Sequence, residues 1–175
     1  MIIAGIDYSM NSPCIGIYDS FDELLFDKCH FYVLTSAKKK PLRYNIHYTT
    51  QSSFSTDEER FDMISEWATD IITAHKVDLV GLEGYSYGSK SSRLFQIGEN
   101  GGLLKHKMFK ANINFDIFSP GDIKKHFSGK GNANKELMHE TLLNIEGISL
   151  GDNSASPISD IIDAYAIIRR TCPNA

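Results

Sequence analysis

The chain has 175 residues, of which 42% are hydrophobic, and a formal net charge of −4 at pH 7. This length suits one domain, residues 1–175, with a hydrophobic core of its own. The three cysteines are odd in number and lack paired metal-ligand spacing, which argues against a disulfide framework or a zinc knuckle. No apolar stretch approaches the ~20 residues that span a bilayer, and no basic leader opens the chain, so we expect a cytoplasmic protein without a membrane partner.

The net negative charge argues mildly against a nucleic-acid partner, because phosphate binding usually shows as an excess of positive charge. The basic residues are nevertheless grouped, at 38–43, 90–110, 124–135 and 169–170. Charge alone therefore leaves two interpretations open, a basic surface for a polyanion and an ordinary solvated face.

Three apolar or alternating runs, at 2–7, 13–19 and 24–34, open the chain and indicate antiparallel strands. Thr56 and Glu59 form a capping box, and apolar residues at helical spacing predict a helix over 57–75. The later predicted elements are a strand at 77–83, a helix at 91–110, a strand at 113–118, and helices from Pro120, at 133–145 and at 157–171. This order predicts an α/β fold with a mixed five-stranded sheet, three antiparallel strands and then parallel ones, flanked by helices.

Residues 35–56 are polar, and a structureless loop of that length is uncommon. Either the alternating piece at 44–48 extends a strand, or the segment is a mobile insertion. We favour a mobile insertion that faces a ligand.

Four acidic residues lie at the ends or inside of apolar elements. Asp160 and Asp163 are three positions apart in an apolar helix, so they share one face. Asp7 and Glu83 each end an apolar strand. Because a buried, unpaired carboxylate costs several kcal/mol, these acids require a cation or a hydrogen-bond network. The pattern predicts one divalent-metal site, and carboxylates without a histidine–cysteine set favour Mg²⁺ or Mn²⁺ over Zn²⁺.

These motifs resemble those of the RuvC-type Holliday junction resolvases, in the ribonuclease H-like nuclease superfamily. Residues 5–9 resemble the first acidic motif of that family, and residues 82–85 the second. The segments 119–124 and 129–135 are very similar to two segments that precede the last acidic helix in resolvases and that generic ribonuclease H-like proteins lack. The resemblance covers nearly the whole chain and implies a ribonuclease H-like sheet. It leaves a phage or viral origin open beside a cellular or organellar one.

The resemblance implies an endonuclease that nicks opposing strands of four-way DNA junctions and other branched DNA, leaving 5′-phosphate and 3′-hydroxyl ends. Asp7, Glu83, Asp160 and Asp163 would hold two Mg²⁺ ions, for which Mn²⁺ substitutes. Lys124 and Lys135 would contact the scissile phosphate. A homodimer would match the two-fold symmetry of the junction, in the cytoplasm of the cell or of a viral host, without a nucleotide cofactor.

A second set of residues is predicted to contact DNA. An aromatic residue after the second acidic motif stacks on a base in resolvases, which suggests Tyr85 or Tyr87; packing on the rim of the sheet is an equal alternative. The other predicted contacts are Lys90, Arg93, Lys105, Lys107, Lys130 and Asn132. The lysines also fit a solvated helix face.

Three other functions fit parts of the pattern. A nuclease for RNA–DNA hybrids or flaps would use the same acids. A non-catalytic module for branched DNA would gain nothing from four acids facing phosphates. An actin-like or sugar-kinase-like ATPase shares the opening strand, but 175 residues is about half the length that its two lobes require.

Overall fold

A computed structural model of the protein describes residues 1–85, 93–151 and 156–172. The strands are β1 (Ile2–Asp7), β2 (Cys14–Asp19), β3 (His30–Leu34), β4 (Ile46–Thr49), β5 (Leu79–Glu83) and β6 (Asn114–Phe118). The α-helices are α1 (Asp57–Ala74), α2 (Leu94–Lys110), α3 (Pro120–Ser128), α4 (Lys135–Glu146) and α5 (Ile158–Thr171). In the described part of the chain, no helix is long and apolar enough to cross a membrane.

The strands of the described residues form one mixed sheet in the order β4-β3-β2-β1-β5-β6. β1, β2 and β3 pair antiparallel, whereas β5 pairs parallel with β1, and β6 pairs parallel with β5. The predicted mixed sheet flanked by helices is confirmed, but its predicted count of five strands is wrong. The additional strand is β4, which pairs parallel with β3.

The additional strand lies inside the segment 35–56, for which the sequence favours an insertion. Ile46 is buried against the core, and the next residues alternate towards solvent, so the alternating piece does extend the sheet. The predicted strand at 24–34 is also shorter than expected, because residues 26–28 form a 3₁₀ turn before β3 begins at His30.

The capping box of α1 forms with one change from the usual pattern. The Thr56 side chain accepts a hydrogen bond from the Glu59 backbone N–H, at 3.2 Å. The Glu59 carboxylate accepts from the N–H of Ser55, the residue before the cap, at 2.7 Å. Both bonds satisfy donors that would otherwise lack partners near the first turn.

The sheet separates two hydrophobic clusters. Side chains of a strand alternate between its faces, so Ala4 and Ile6 pack towards α1 and α2, while Ile3 packs towards α3, α4 and α5. The same alternation directs Asp7 to the α5 side. In β5, Val80 and Leu82 belong to the α1 and α2 side, which leaves Glu83 on the α5 side.

A row of glycines crosses the sheet beneath α5. Gly5 in β1 pairs with Gly16 in β2 on one side and with Gly81 in β5 on the other. A β-carbon added at Gly5 would lie 2.5 Å from the Ala164 carbonyl oxygen of α5, and one at Gly16 would lie 2.7 Å from Ile168 Cδ1. Because real β-carbons do not approach so closely, the glycines allow α5 to lie directly on the three strands.

Candidate active site

Asp7 and Glu83 lie at the same edge of the sheet. Each is the last residue of its strand, and the two strands are parallel neighbours whose Ile6 and Leu82 are register partners. Both side chains point to the α5 side by the alternation described above. Asp7 is 8% exposed, so its carboxylate is largely removed from water.

The first two turns of α5 bring two more carboxylates to this edge. Asp160 is 7% exposed and Asp163 is half-buried. The contact of Gly5 with Ala164, the residue after Asp163, fixes this part of α5 against β1. Two neighbouring strands and one helix, far apart in sequence, therefore direct four acids to one end of the sheet.

The acids influence one another electrostatically. Burial raises the pKa of Asp7 well above its usual value, and the charges of Asp163, Glu83 and Asp160 raise it further. Burial also raises the pKa of Glu83 to about 7, with an added effect of Asp163. The pKa of Asp163 rises to about 6, mainly through burial. Desolvation and like charge both disfavour ionised carboxylates, and a cation would relieve both.

These residues fit a hard divalent cation by the chemistry of their donors. All four offer carboxylate oxygens, and Asp160 Oδ2 is buried with no hydrogen-bond partner in the described structure. Within residues 1–85, 93–151 and 156–172, however, no three His, Cys, Asp or Glu side chains are already grouped as metal ligands. The acids thus interact electrostatically but are not arranged as a complete set of metal ligands. Their role as ligands stays a prediction.

Lys124 and Lys135 lie beside the acids. Lys124 in α3 lowers the pKa of both Glu83 and Asp163, and Lys135 at the start of α4 lowers that of Asp7. A small cavity of about 60 Å³ lies between them and α5; its lining is Lys124, Asn134, Lys135, Met138, Ser159, Ile162 and Asp163. The two ammonium groups therefore offset part of the negative charge of the acids.

A groove of about 820 Å³ opens next to the acids. Asp7, Glu83 and Asp163 line it, together with the turn that follows β1 and one face of α2. The apolar part of its wall includes Leu94, Ile97, Ile117 and Phe118. The groove is much larger than the small cavity and is the natural place for an extended substrate.

Tyr85, one of the two tyrosines predicted to stack on a base, packs against α2. Its hydroxyl donates to the Gly98 carbonyl oxygen at 3.2 Å and accepts from Lys105 Nζ at 3.0 Å. The same ammonium lies 4.7 Å from the centre of the ring. These contacts hold the ring against α2, not on the rim of the sheet, and Tyr85 is 39% exposed. Stacking on a base stays a prediction. Tyr87 and Lys90 lie outside the described residues.

The remaining predicted DNA contacts are spread over four places. Lys107 is paired with Asp62 and Glu66 of α1, which ties the two helices together. Lys130 and Asn132 are exposed in the turn between α3 and α4, and Arg93 is exposed where α2 begins. Lys105 lines the groove. Except for Lys107, these positions leave the cationic groups on the surface around the acids.

Three further residues near the site are not among those predicted from the sequence. Ser159 lies between Lys135 and Asp160, and its position directly before an acid was the only signal. Cys14 is the register partner of Asp7 and is fully buried. Burial raises the pKa of the Cys14 thiol, and Asp160 adds to the rise.

Arg60 of α1 is the third of these residues and is 7% exposed. Its guanidinium donates to the Met10 carbonyl oxygen at 2.5 and 3.1 Å and to Asn11 Oδ1 at 2.6 Å. It therefore fixes the turn after β1 that lines the groove. An arginine in a charged helix segment looks solvated in sequence, so no pattern marked it.

A family model described as crossover junction endodeoxyribonuclease RuvC matches residues 27–168, a range that contains Glu83, Asp160 and Asp163 and begins after Asp7. The RuvC of a Nitratiruptor species is 28% identical over 97 residues, which is 55% of this chain and 59% of that protein. The chain thus spans less than two thirds of that relative. The RuvC of Helicobacter pylori is 25% identical over 143 residues, 80% of this chain and 86% of that protein.

Among solved structures, Thermus thermophilus RuvC in complex with Holliday junction substrate aligns with a TM-score of 0.66 and 19% identity, covering 96% of this chain and 90% of that one. This likeness confirms the ribonuclease H-like fold. With the family model matching most of the chain, the protein belongs to the RuvC family of crossover junction endodeoxyribonucleases.

Proposed function

We propose that this protein is a metal-dependent endonuclease that resolves four-way DNA junctions. The observation that carries the proposal is the meeting of Asp7 and Glu83 with the acids of α5, in a chain that belongs to the RuvC family. RuvC-family nucleases depend on metal ions in general. We further propose two Mg²⁺ ions per site, with Mn²⁺ as a substitute, because the donors are hard carboxylate oxygens.

Asp7, Glu83, Asp160 and Asp163 are the proposed metal ligands. Paired Mg²⁺ ions would supply Lewis-acid activation of a water and stabilisation of the leaving 3′ oxygen, and hydrolysis of the P–O3′ bond would give a 5′-phosphate and a 3′-hydroxyl. The raised pKa values of Glu83 and Asp163 mean that these carboxylates must lose protons before they serve as ligands. Below about pH 7, cation binding should therefore release protons from the site.

The lysines have a different proposed role. Lys124 and Lys135 lie on the side of the acids that faces the small cavity, where an ammonium group attracts a phosphate oxygen. Positive charge at this position stabilises the additional charge of a phosphodiester under attack. The exposed Lys130 and Asn132 follow on the same side and extend the proposed contact along the DNA backbone.

The proposed substrate and assembly follow from the family. A relative has been solved with Holliday junction substrate, and its fold is that of this chain. Because a four-way junction has two-fold symmetry, we propose a homodimer whose two sites nick opposing strands. The three cysteines are free thiols, which suits the proposed cytoplasmic location.

Cleavage of synthetic DNA tests the proposal. Purified protein is incubated in Mg²⁺ or Mn²⁺ with four-way, three-way, flap and linear DNA and with an RNA–DNA hybrid. Symmetric nicks in the four-way junction are expected. Cleavage of only the hybrid or flap would instead identify a different ribonuclease H-like nuclease, and junction binding without any cleavage would identify a binding module.

Matched variants connect cleavage to the acids. Asp7→Asn and Glu83→Gln are expected to abolish cleavage while junction binding persists. Asp70→Asn and Glu140→Gln make the same chemical changes at exposed positions of α1 and α4, and should leave cleavage intact. Cleavage by Asp7→Asn at the wild-type rate would refute the proposed site.

A further inference from the structure

Ser159 connects a predicted phosphate-binding lysine to a predicted metal ligand. Its hydroxyl oxygen lies 3.2 Å from Lys135 Nζ and 3.3 Å from Asp160 Oδ1. The residue is 4% exposed, in the first turn of α5, and it lines the small cavity beside Lys124 and Lys135. One hydroxyl thus joins the Lys135 side chain of α4 to the Asp160 side chain of α5.

The direction of these hydrogen bonds follows from the chemistry of the groups. An ammonium group can only donate, so Ser159 accepts from Lys135. The single hydroxyl proton is then left to donate to Asp160 Oδ1, since an ionised carboxylate only accepts.

The contact also distinguishes the two oxygens of Asp160. Oδ1 accepts from Ser159, whereas Oδ2 is buried and has no partner among the described residues. A buried carboxylate oxygen without a partner is costly unless a ligand satisfies it. Fixing one oxygen also restricts rotation of the carboxylate, so the other keeps one orientation.

We propose that Ser159 is a positioning residue: it holds Asp160 so that Oδ2 is presented to the divalent cation, and it couples Lys135 to that carboxylate. The proposal rests on the proposed metal-dependent function. It differs from a purely structural role because the known partners of the hydroxyl are two side chains of the site. A serine that served only the fold would stabilise the helix without affecting cation affinity.

Mn²⁺ binding to the DNA-free protein tests the role without relying on activity. Titration followed by electron paramagnetic resonance gives the affinity of the wild type, Ser159→Ala, Ser159→Thr and Ser65→Ala. Ser65 is a similarly buried serine in α1 whose hydroxyl donates to the Asp62 carbonyl oxygen, so it is a matched control. The two hydrogen bonds of Ser159, at 3.2 and 3.3 Å, are longer than is usual for bonds to charged groups and are therefore weak. We expect Ser159→Ala to weaken Mn²⁺ binding about three- to tenfold.

Ser159→Thr keeps the hydroxyl and is expected to restore most of the affinity, while Ser65→Ala binds Mn²⁺ as the wild type does. The Lys135→Met change should alter Mn²⁺ binding less in Ser159→Ala than in the wild type, because the coupling has already been lost. Wild-type affinity in a folded Ser159→Ala protein would overturn the positioning role alone. A wild-type protein that neither binds Mn²⁺ nor cuts junctions would overturn this role and the proposed function together.

Discussion

The backbone of Ala164 occupies the space that a side chain at Gly5 would need. A β-carbon there would lie 2.5 Å from the Ala164 carbonyl oxygen and 2.7 Å from the Ile168 amide nitrogen. Asp7 lies two residues after Gly5 in β1, and Asp163 directly precedes Ala164 in α5. The close approach of helix and strand therefore determines how near the two carboxylates come.

Replacing Gly5 by alanine is predicted to destabilise the fold and to separate the acids. The new methyl group meets backbone atoms of α5, which cannot rotate away, so we expect a loss of about 1–3 kcal/mol in the free energy of unfolding. Junction cleavage should fall by more than stability alone explains. Urea unfolding and cleavage by the folded fraction measure the two effects.

Gly102 in α2 supplies the control for this change. No described atom lies within 4 Å of a β-carbon added there, and alanine favours a helix interior by up to about 1 kcal/mol over glycine. Gly102→Ala should therefore leave the protein as stable or more stable. A Gly5→Ala protein with wild-type stability would show that α5 moves away freely.

In the absence of metal, the acid cluster is predicted to make a contribution to the free energy of unfolding that decreases as the pH rises through the pKa values of the acids. Burial raises the pKa of Glu83 from 4.5 to about 7 and that of Asp163 from 3.8 to about 6. At a pH between the pKa values of the unfolded and folded states, the folded protein keeps protons that the unfolded chain has released. Raising the pH therefore favours unfolding. The contribution is fully present below about pH 4 and is lost by about pH 7. Glu83 alone is worth on the order of 3 kcal/mol.

Chemical unfolding in a chelator at pH 5, 6, 7 and 8 measures this effect. Burial lowers the pKa values of His47 and His75, and these groups act with the opposite sign. We therefore compare wild type with Glu83→Gln: the stability advantage of the variant should grow from pH 5 to pH 8, and Mg²⁺ should reduce it. Glu140→Gln, the same change at an exposed position of α4, should keep the wild-type slope. Parallel curves for wild type and Glu83→Gln would contradict the raised pKa.

Arg60→Met is predicted to loosen the turn after β1. The change removes hydrogen bonds from a charged donor to Met10 and Asn11, and such bonds contribute about 1.5–3 kcal/mol each when buried. We expect a loss of at least about 2 kcal/mol in unfolding free energy. Arg43→Met, which removes a partly exposed pair with Asp27, should cost only about 0–1 kcal/mol. Equal losses for the two variants would show that burial of Arg60 contributes nothing.

Local patterns predicted most of the fold because each element has its own signal. The apolar runs ending at Asp7 and Glu83 and the capping box at Thr56 are complete within a few residues. The strand β4 could not be predicted firmly because four residues with one buried side chain carry little periodicity, and their strand character depends on pairing with β3. Only the tertiary contacts of these residues identify them as a strand.

In the candidate site too, some residues could be predicted from the local sequence and others depend on tertiary contacts. The four acids stood out because carboxylates in apolar elements are costly, which is a property of the sequence itself. Ser159 and Arg60 have no such signal, since their importance comes from the partners to which the fold brings them. The row formed by Gly5, Gly16 and Gly81 also became evident only when the strand register aligned them.

Comparing Tyr85→Phe with Tyr85→Leu separates the two interpretations of Tyr85. Phenylalanine keeps the ring that stacking on a base requires and removes the hydroxyl that binds Gly98 and Lys105. Since the structure packs this ring on α2, we expect Tyr85→Phe to lower unfolding free energy by about 0.5–1.5 kcal/mol and to leave junction affinity unchanged. Tyr85→Leu, which removes the ring, should destabilise further without a selective loss of binding. If Tyr85→Leu instead weakens junction binding by about 1–3 kcal/mol while Tyr85→Phe is as stable as wild type, the tyrosine stacks on a base and its packing on α2 is incidental.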